Sequence, residues 1–270
     1  MNKSINWIVG EALGTFLLVF FGCGSVATAV TLGAQVGLFQ VAIVWGMGLA
    51  LAIKITAPLS GAHLNPAITI AMATFTRFRW SRAFGYICVQ MLGAFAAAAL
   101  IYAIYGGAIS LFEQEAGIVR GSTGSEASAM LFGEYYPNLG GKPMLDTARA
   151  SITSLHAFLA ELVGTMLLAL AIFAITDKSN SNVPVRFAPW TIGMTLTVLI
   201  SLFAPISMGG FNPARDFAPR VFSSLAGWGS LPFSLNGIGW LTVYIIAPII
   251  GALLGGTLYT LLLKNGYKNR

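Results

Sequence analysis

Charge is scarce in this chain. Of its 270 residues only 9% are Asp, Glu, Lys or Arg, against about 25% in an ordinary soluble domain. With 56% hydrophobic residues, it cannot present the polar surface of a water-soluble globule. Cysteine and histidine are scarcer still, two of each. Cys23 and Cys88 both lie in apolar stretches, too few for a disulfide framework or a metal cluster, and both read as buried structural thiols. His63 and His156 stand far apart, with no Ser/His/Asp set, metal-ligand spacing or phosphate loop around them. The expectation is therefore no enzyme, no cofactor and no metal. The net charge of +6 comes from basic residues at the ends of apolar runs, so it speaks of membrane topology and not of nucleic acid.

What the chain does have is long apolar runs. Six stand out, at about 6–31, 37–57, 83–105, 154–176, 187–206 and 238–263. Each is long enough to cross a hydrocarbon core of roughly 30 Å, which takes about 20 helical residues. The first is longer than the apolar region of a signal peptide and reads as a retained span. Basic residues gather at Lys3, at Arg77, Arg79 and Arg82, at Lys178 and Arg186, and at Lys264, Lys268 and Arg270. The acids gather in the third connection, as Glu113, Glu115, Glu126, Glu134 and Asp146 beside Arg120, Lys142 and Arg149. The positive-inside bias puts both termini in the cytoplasm. Lys54, near the inner end of the second span, can snorkel to the interface.

The chain also repeats itself. Glu11-Ala-Leu-Gly14-Thr15 returns as Glu161-Leu-Val-Gly164-Thr165, an offset of 150 (161 minus 11). Asn65-Pro66-Ala67 returns as Asn212-Pro213-Ala214, an offset of 147 (212 minus 65). Two landmarks with nearly equal offsets mark a duplicated unit. Each unit holds three spans, so the halves enter the membrane from opposite sides and meet near its midplane. Repeat 1 covers about 6–105 and repeat 2 about 153–264, joined by an extracellular loop at about 106–152, all within one transmembrane domain, 1–270. After each Asn-Pro-Ala comes a short helical stretch, about 66–76 and 213–224. At 1.5 Å per residue such a stretch reaches about 16 Å, half a membrane. Asn suits an N-cap and Pro the first helical turn. Two half-helices therefore start at mid-membrane with their positive ends facing each other. The Gly-containing segments before them, 60–64 and 207–211, suit extended backbone, which this depth tolerates only against protein or a water-filled cavity.

These residues resemble the major intrinsic protein family, the aquaporins, and more narrowly its glycerol facilitator (aquaglyceroporin) branch. Ser60-Gly61-Ala62-His63 before the first Asn-Pro-Ala and Arg215-Asp216 after the second carry the resemblance over nearly the whole chain. Phe112-Glu113-Gln114 with Ile118-Val119-Arg120-Gly121-Ser122 also resembles the extracellular loop of bacterial glycerol facilitators. The resemblance implies an all-α membrane protein, a right-handed bundle of six tilted transmembrane helices and two half-helices with an inverted internal repeat. It implies a homotetramer in the cell membrane with one pore per subunit. The implied function is passive passage of glycerol, water and other small uncharged solutes, with dihydroxyacetone, urea and undissociated lactic acid as candidates.

Such a pore needs polar groups that replace water without holding the solute. Free carbonyls along Gly61, Ala62, His63, Leu64, Met208, Gly210 and Phe211 are expected to form one wall, with the Asn65 and Asn212 amides donating at the centre and an apolar wall opposite. By resemblance the narrowest point is built by Trp45, Ile200, Gly209 and Arg215. The best-known glycerol facilitators have a glycine on the fifth span and a phenylalanine in the loop, so Ile200 adds bulk and Gly209 removes a ring, unless Phe211 refills the gap. Glu11 and Glu161, one per repeat, read as acceptors for the loop amides. Their proton-relay alternative would make the chain a secondary transporter of a small neutral solute.

Overall fold

The computed structural model describes residues 3–35, 37–145, 151–180 and 182–268. Asp146, Arg149 and Arg270, counted above for orientation, lie outside the described residues. Eight helices carry the fold: α1 Lys3–Leu32, α2 Leu38–Ser60, α3 Pro66–Phe75, α4 Trp80–Glu115, α5 Ser154–Thr176, α6 Ala188–Ser207, α7 Pro213–Ser223 and α8 Gly239–Tyr267. Six of them are long and apolar enough to cross a membrane, and α3 and α7 are half that length. This is an all-helical, multi-pass membrane protein with α1–α4 repeated as α5–α8.

The halves interlock. Within each repeat the first helix packs on the last, α1 on α4 and α5 on α8, while α2 meets α6 across the pseudo-twofold. Each half-helix crosses over: α3 lies against α8 and α7 against α4. Small residues permit this closeness, since lipid offers no hydrophobic drive between helices and packing must supply the attraction. Gly46 and Gly193, again 147 apart, sit face to face. A Cβ at Gly46 would lie 2.4 Å from the Gly193 carbonyl oxygen, and one at Gly193 would lie 2.3 Å from that of Gly46. The outward faces keep large apolar side chains such as Phe84, Leu92, Val198 and Leu202 exposed, as lipid contact requires.

Three expectations change. The third span reaches Glu115, so Phe112-Glu113-Gln114 is the last turn of α4 and not loop. Ile109 and Glu113 are buried there under the connection that follows, and that packing prolongs the helix beyond its apolar run. The connection itself is not a solvated strap: Ser125–Tyr136 is buried throughout. Arg120 clamps it, paired to Glu113 at 2.7 Å and lying 4.3 Å over the Trp228 ring. Ser128 donates to Glu113 at 2.6 Å and accepts from the Trp228 indole at 3.0 Å. Finally, Cys23 is buried but Cys88 is exposed, because it sits on the outward face of α4.

Substituting Gly46→Val should separate α2 from α6 and cost about 1–3 kcal/mol, the usual range for overpacking. Thermal melting of the purified protein in detergent should show a clear fall for Gly46→Val. It should show none for Gly106→Ala, whose Cβ meets nothing within 4 Å.

Candidate functional site

The site is built on two strained loops. Gly61, Ala62 and Leu64 have φ of 86°, 53° and 53°, and Met208, Gly209 and Phe211 have 66°, 74° and 50°. These are the same positions 147 residues apart. Left-handed backbone at a residue with a Cβ costs about 1–3 kcal/mol, so surroundings must hold it. Two buried carboxylates do. Glu11 accepts the amides of His63 at 2.9 Å and Leu64 at 2.8 Å. Glu161 accepts those of Gly210 at 2.9 Å and Phe211 at 2.6 Å, and the Ser207 hydroxyl at 2.7 Å. Gln90 adds a bond to Glu11 at 2.7 Å. Gly14 and Gly164 make room behind the loops: a Cβ there would lie 2.3 Å from Leu64 and 2.1 Å from the Phe211 ring.

Past the loops the chain turns into the half-helices. The Asn65 side-chain oxygen caps α3 by accepting from Ala67 N at 2.9 Å, and Asn212 caps α7 by accepting from Ala214 N at 3.0 Å. Pro66 and Pro213 occupy first-turn positions, where no amide hydrogen is needed. The two asparagines also lock the halves together. Asn65 Nδ2 donates to the Phe211 carbonyl and Asn212 Nδ2 to the Leu64 carbonyl, both at 2.8 Å. A primary amide carries two hydrogens, so each asparagine keeps one free. Leu64 and Phe211, expected among the free carbonyls, have theirs engaged in these bonds.

Two cavities meet beside this centre. The inner one, about 230 Å³, runs from Thr176 and Val185 past Asn65 and Asn212 to Arg215. Its polar side is the loop residues 61–65 and 209–212, and its apolar side includes Leu49, Ile53, Ile192 and Leu196. The outer one, about 630 Å³, is bordered by Gln35, Met130, Glu134, Asn138, Lys142 and Met208 among others. Trp45, Ile200 and Arg215 border both cavities and form the waist between them. The Arg215 guanidinium lies 4.2 Å from the Trp45 ring centroid, a cation–π arrangement. Gly209 lies on the inner side of the waist and Met208 on the outer. Phe211 borders the inner cavity, and its wholly buried ring packs against Gly164, 6.2 Å from Phe203, and beside Gly209, where a Cβ would lie 3.4 Å from it. His63 borders the inner cavity between Phe78 and Tyr86, at 4.7 and 5.0 Å.

One residue of this site was not singled out in the sequence. Glu134, counted above only as a loop acid, is fully buried and ion-paired to Arg215. Asp216 does not pair with its neighbour Arg215 but with Arg220, one turn along α7, at 2.7 Å. The signal for Glu134 was a lone acid in an aromatic stretch, Phe132-Gly-Glu134-Tyr-Tyr136, with nothing to say that the loop dives inward.

Comparison with known proteins agrees with this architecture. The family profile described as major intrinsic protein matches residues 1–259. A glycerol uptake facilitator from Haemophilus influenzae is 43% identical over 263 residues, covering 96% of this chain and 94% of that protein. A propanediol uptake facilitator from Salmonella typhimurium is 38% identical over 261 residues, covering 96% and 94%. The X-ray structure of the aquaglyceroporin from Plasmodium falciparum superposes with a TM-score of 0.83 at 25% identity, covering 98% of this chain and 99% of that one.

Glu161→Gln keeps the shape but turns an amide donor toward loop amides that also donate. Hydrogen bonds to a charged group are worth about 1.5–3 kcal/mol each. The variant should melt well below the native protein in detergent, and Glu161→Leu lower still.

Proposed function

We propose that this chain, which belongs to the major intrinsic protein family, is a passive channel for glycerol, water and other small uncharged solutes, and not an enzyme. The observation that carries this reading is the path itself: two cavities meeting at the waist of Trp45, Ile200 and Arg215, polar on one side and apolar on the other. A polyol has one hydroxylated edge and one carbon edge, and such a wall suits it. The relatives named as glycerol and propanediol uptake facilitators point to the same solute class.

On this reading Trp45, Ile200, Gly209 and Arg215 form the selectivity filter, and Asn65, Pro66, Ala67, Asn212, Pro213 and Ala214 form the central constriction. The remaining carbonyls of Gly61, Ala62, His63, Met208 and Gly210 serve as stepping stones. Ions are refused because stripping their water costs more than this wall returns, and because two helix N-termini present positive ends at the centre. Glu11 and Glu161 act as loop supports; with their oxygens engaged by amides, neither is free to carry a proton for a coupled transporter. The exposed apolar faces suit lipid and further copies of the chain, in a homotetramer in the cell membrane with both termini cytoplasmic.

Proteoliposomes holding the protein should take up glycerol faster than empty vesicles and stop at equal concentrations, with no accumulation under a proton or sodium gradient. Absence of glycerol flux beside intact water flux would sink the proposal. Ile200→Gly should widen the waist and raise entry of a four-carbon polyol severalfold, read by light scattering as vesicles re-swell.

A further inference from the structure

Among the described residues that border the inner cavity, Arg215 is the one Lys, Arg, Asp or Glu, and its charge is not free. Glu134 meets Arg215 Nη2 as a counter-ion, and both residues are almost wholly shielded from solvent. Neither Glu134 carboxylate oxygen takes a hydrogen bond from another group, and Arg215 Nη1 has no partner. The guanidinium is therefore held at one nitrogen and unpaired at the other, in a residue at the waist shared by both cavities.

Glu134 is placed there by its backbone. Its amide donates to Asp216 Oδ1 at 2.7 Å, and its carbonyl accepts from Arg220 Nη2. Arg220 is already paired with Asp216, so that ion pair grips the loop which neutralises the cation beside it. Gly210 leaves room for the carboxylate: a Cβ there would lie 2.7 Å from Glu134 Oε2.

We infer that Glu134 is a positioning residue for solute passage: it anchors Arg215 against the wall and cancels the charge at the waist, so that flux depends on whether Glu134 is ionised. This rests on the channel reading above. A bare buried guanidinium binds a passing hydroxyl or water through a charge-assisted bond roughly twice as strong as a neutral one, and conduction needs binding weak enough to release. A neutral Glu134 thus slows the solute.

The groups whose charges act on Glu134 are Arg215, Asp216 and Arg220 of α7 and Glu161 of α5, and Cys23 of α1 and Tyr244 of α8 lie within its field. Asp216 and Arg220 offset each other, and Glu161 is engaged by loop amides. Lys142 is exposed and shares the outer cavity. Burial pushes the Glu134 carboxyl up, with the Arg215 charge opposing and the nearby acids adding to the rise. The ionised, paired form is the high-pH form. Acidification on the outer-cavity side protonates Glu134, releases Arg215 and lowers flux.

The test is glycerol permeability of proteoliposomes between about pH 5 and about pH 9, a range that spans ordinary and raised carboxyl pKa values. Native flux should fall on acidification by roughly tenfold, the weight of one hydrogen bond to a charged group. Glu134→Gln should stay at the low level at every pH. A flat native profile, or a native profile kept by Glu134→Gln, overturns the inference. Should Glu134→Gln fail to assemble, Glu134→Asp must move the midpoint of the transition, and an unmoved midpoint overturns it equally. Absence of native glycerol flux at any pH would instead overturn the channel reading on which this rests.

Discussion

Everything at the centre of this protein depends on two buried carboxylates holding two stretches of backbone that would not hold themselves. Glu11 and Glu161 each accept two consecutive loop amides. In a membrane there is no water to satisfy those amides, and each unsatisfied one costs several kcal/mol. With the amides turned toward the scaffold, the positive-φ residues on either side can adopt a shape no helix or strand offers. The half-helices, their caps and the cavity wall all follow from that anchoring.

Symmetry makes the arrangement self-consistent. Each asparagine caps its own half-helix and reaches across to a carbonyl of the opposite loop. Each half-helix packs on the last long helix of the other repeat. Neither half is complete alone, because the polar groups at its tip are satisfied by the other. The symmetry breaks, among other places, between the two half-helices. The first repeat has no arginine after its Asn-Pro-Ala, and the second has Arg215, Asp216 and Arg220 in one short helix.

That asymmetry draws in the third connection. A cation at the waist of a narrow apolar passage needs a counter-charge or tight water, and Glu134 supplies the charge from a loop clamped by Arg120, Glu113 and Trp228. Two layers of ion pairing thus sit outside the asparagine centre. The inner one faces the lumen and the outer one, Asp216 with Arg220, fixes the loop's backbone.

Apolar runs of span length, a repeat offset of about 150, and Asn-Pro at two helix starts are local properties, and so the six spans, the two half-helices, the capping places of Asn65 and Asn212 and the loop-amide contacts of Glu11 and Glu161 were legible in the chain. Helix length is set by hydrogen bonding between near neighbours, and pairing by symmetry needs only counting. What tertiary structure alone decided involves groups far apart in sequence. The Phe211 ring packs between Gly164 and Gly209, the 125–136 segment folds inward, and Glu134, 81 positions before Arg215 (215 minus 134), becomes its counter-ion. No local pattern encodes these, because each depends on which buried group is left unpaired once the helices have packed.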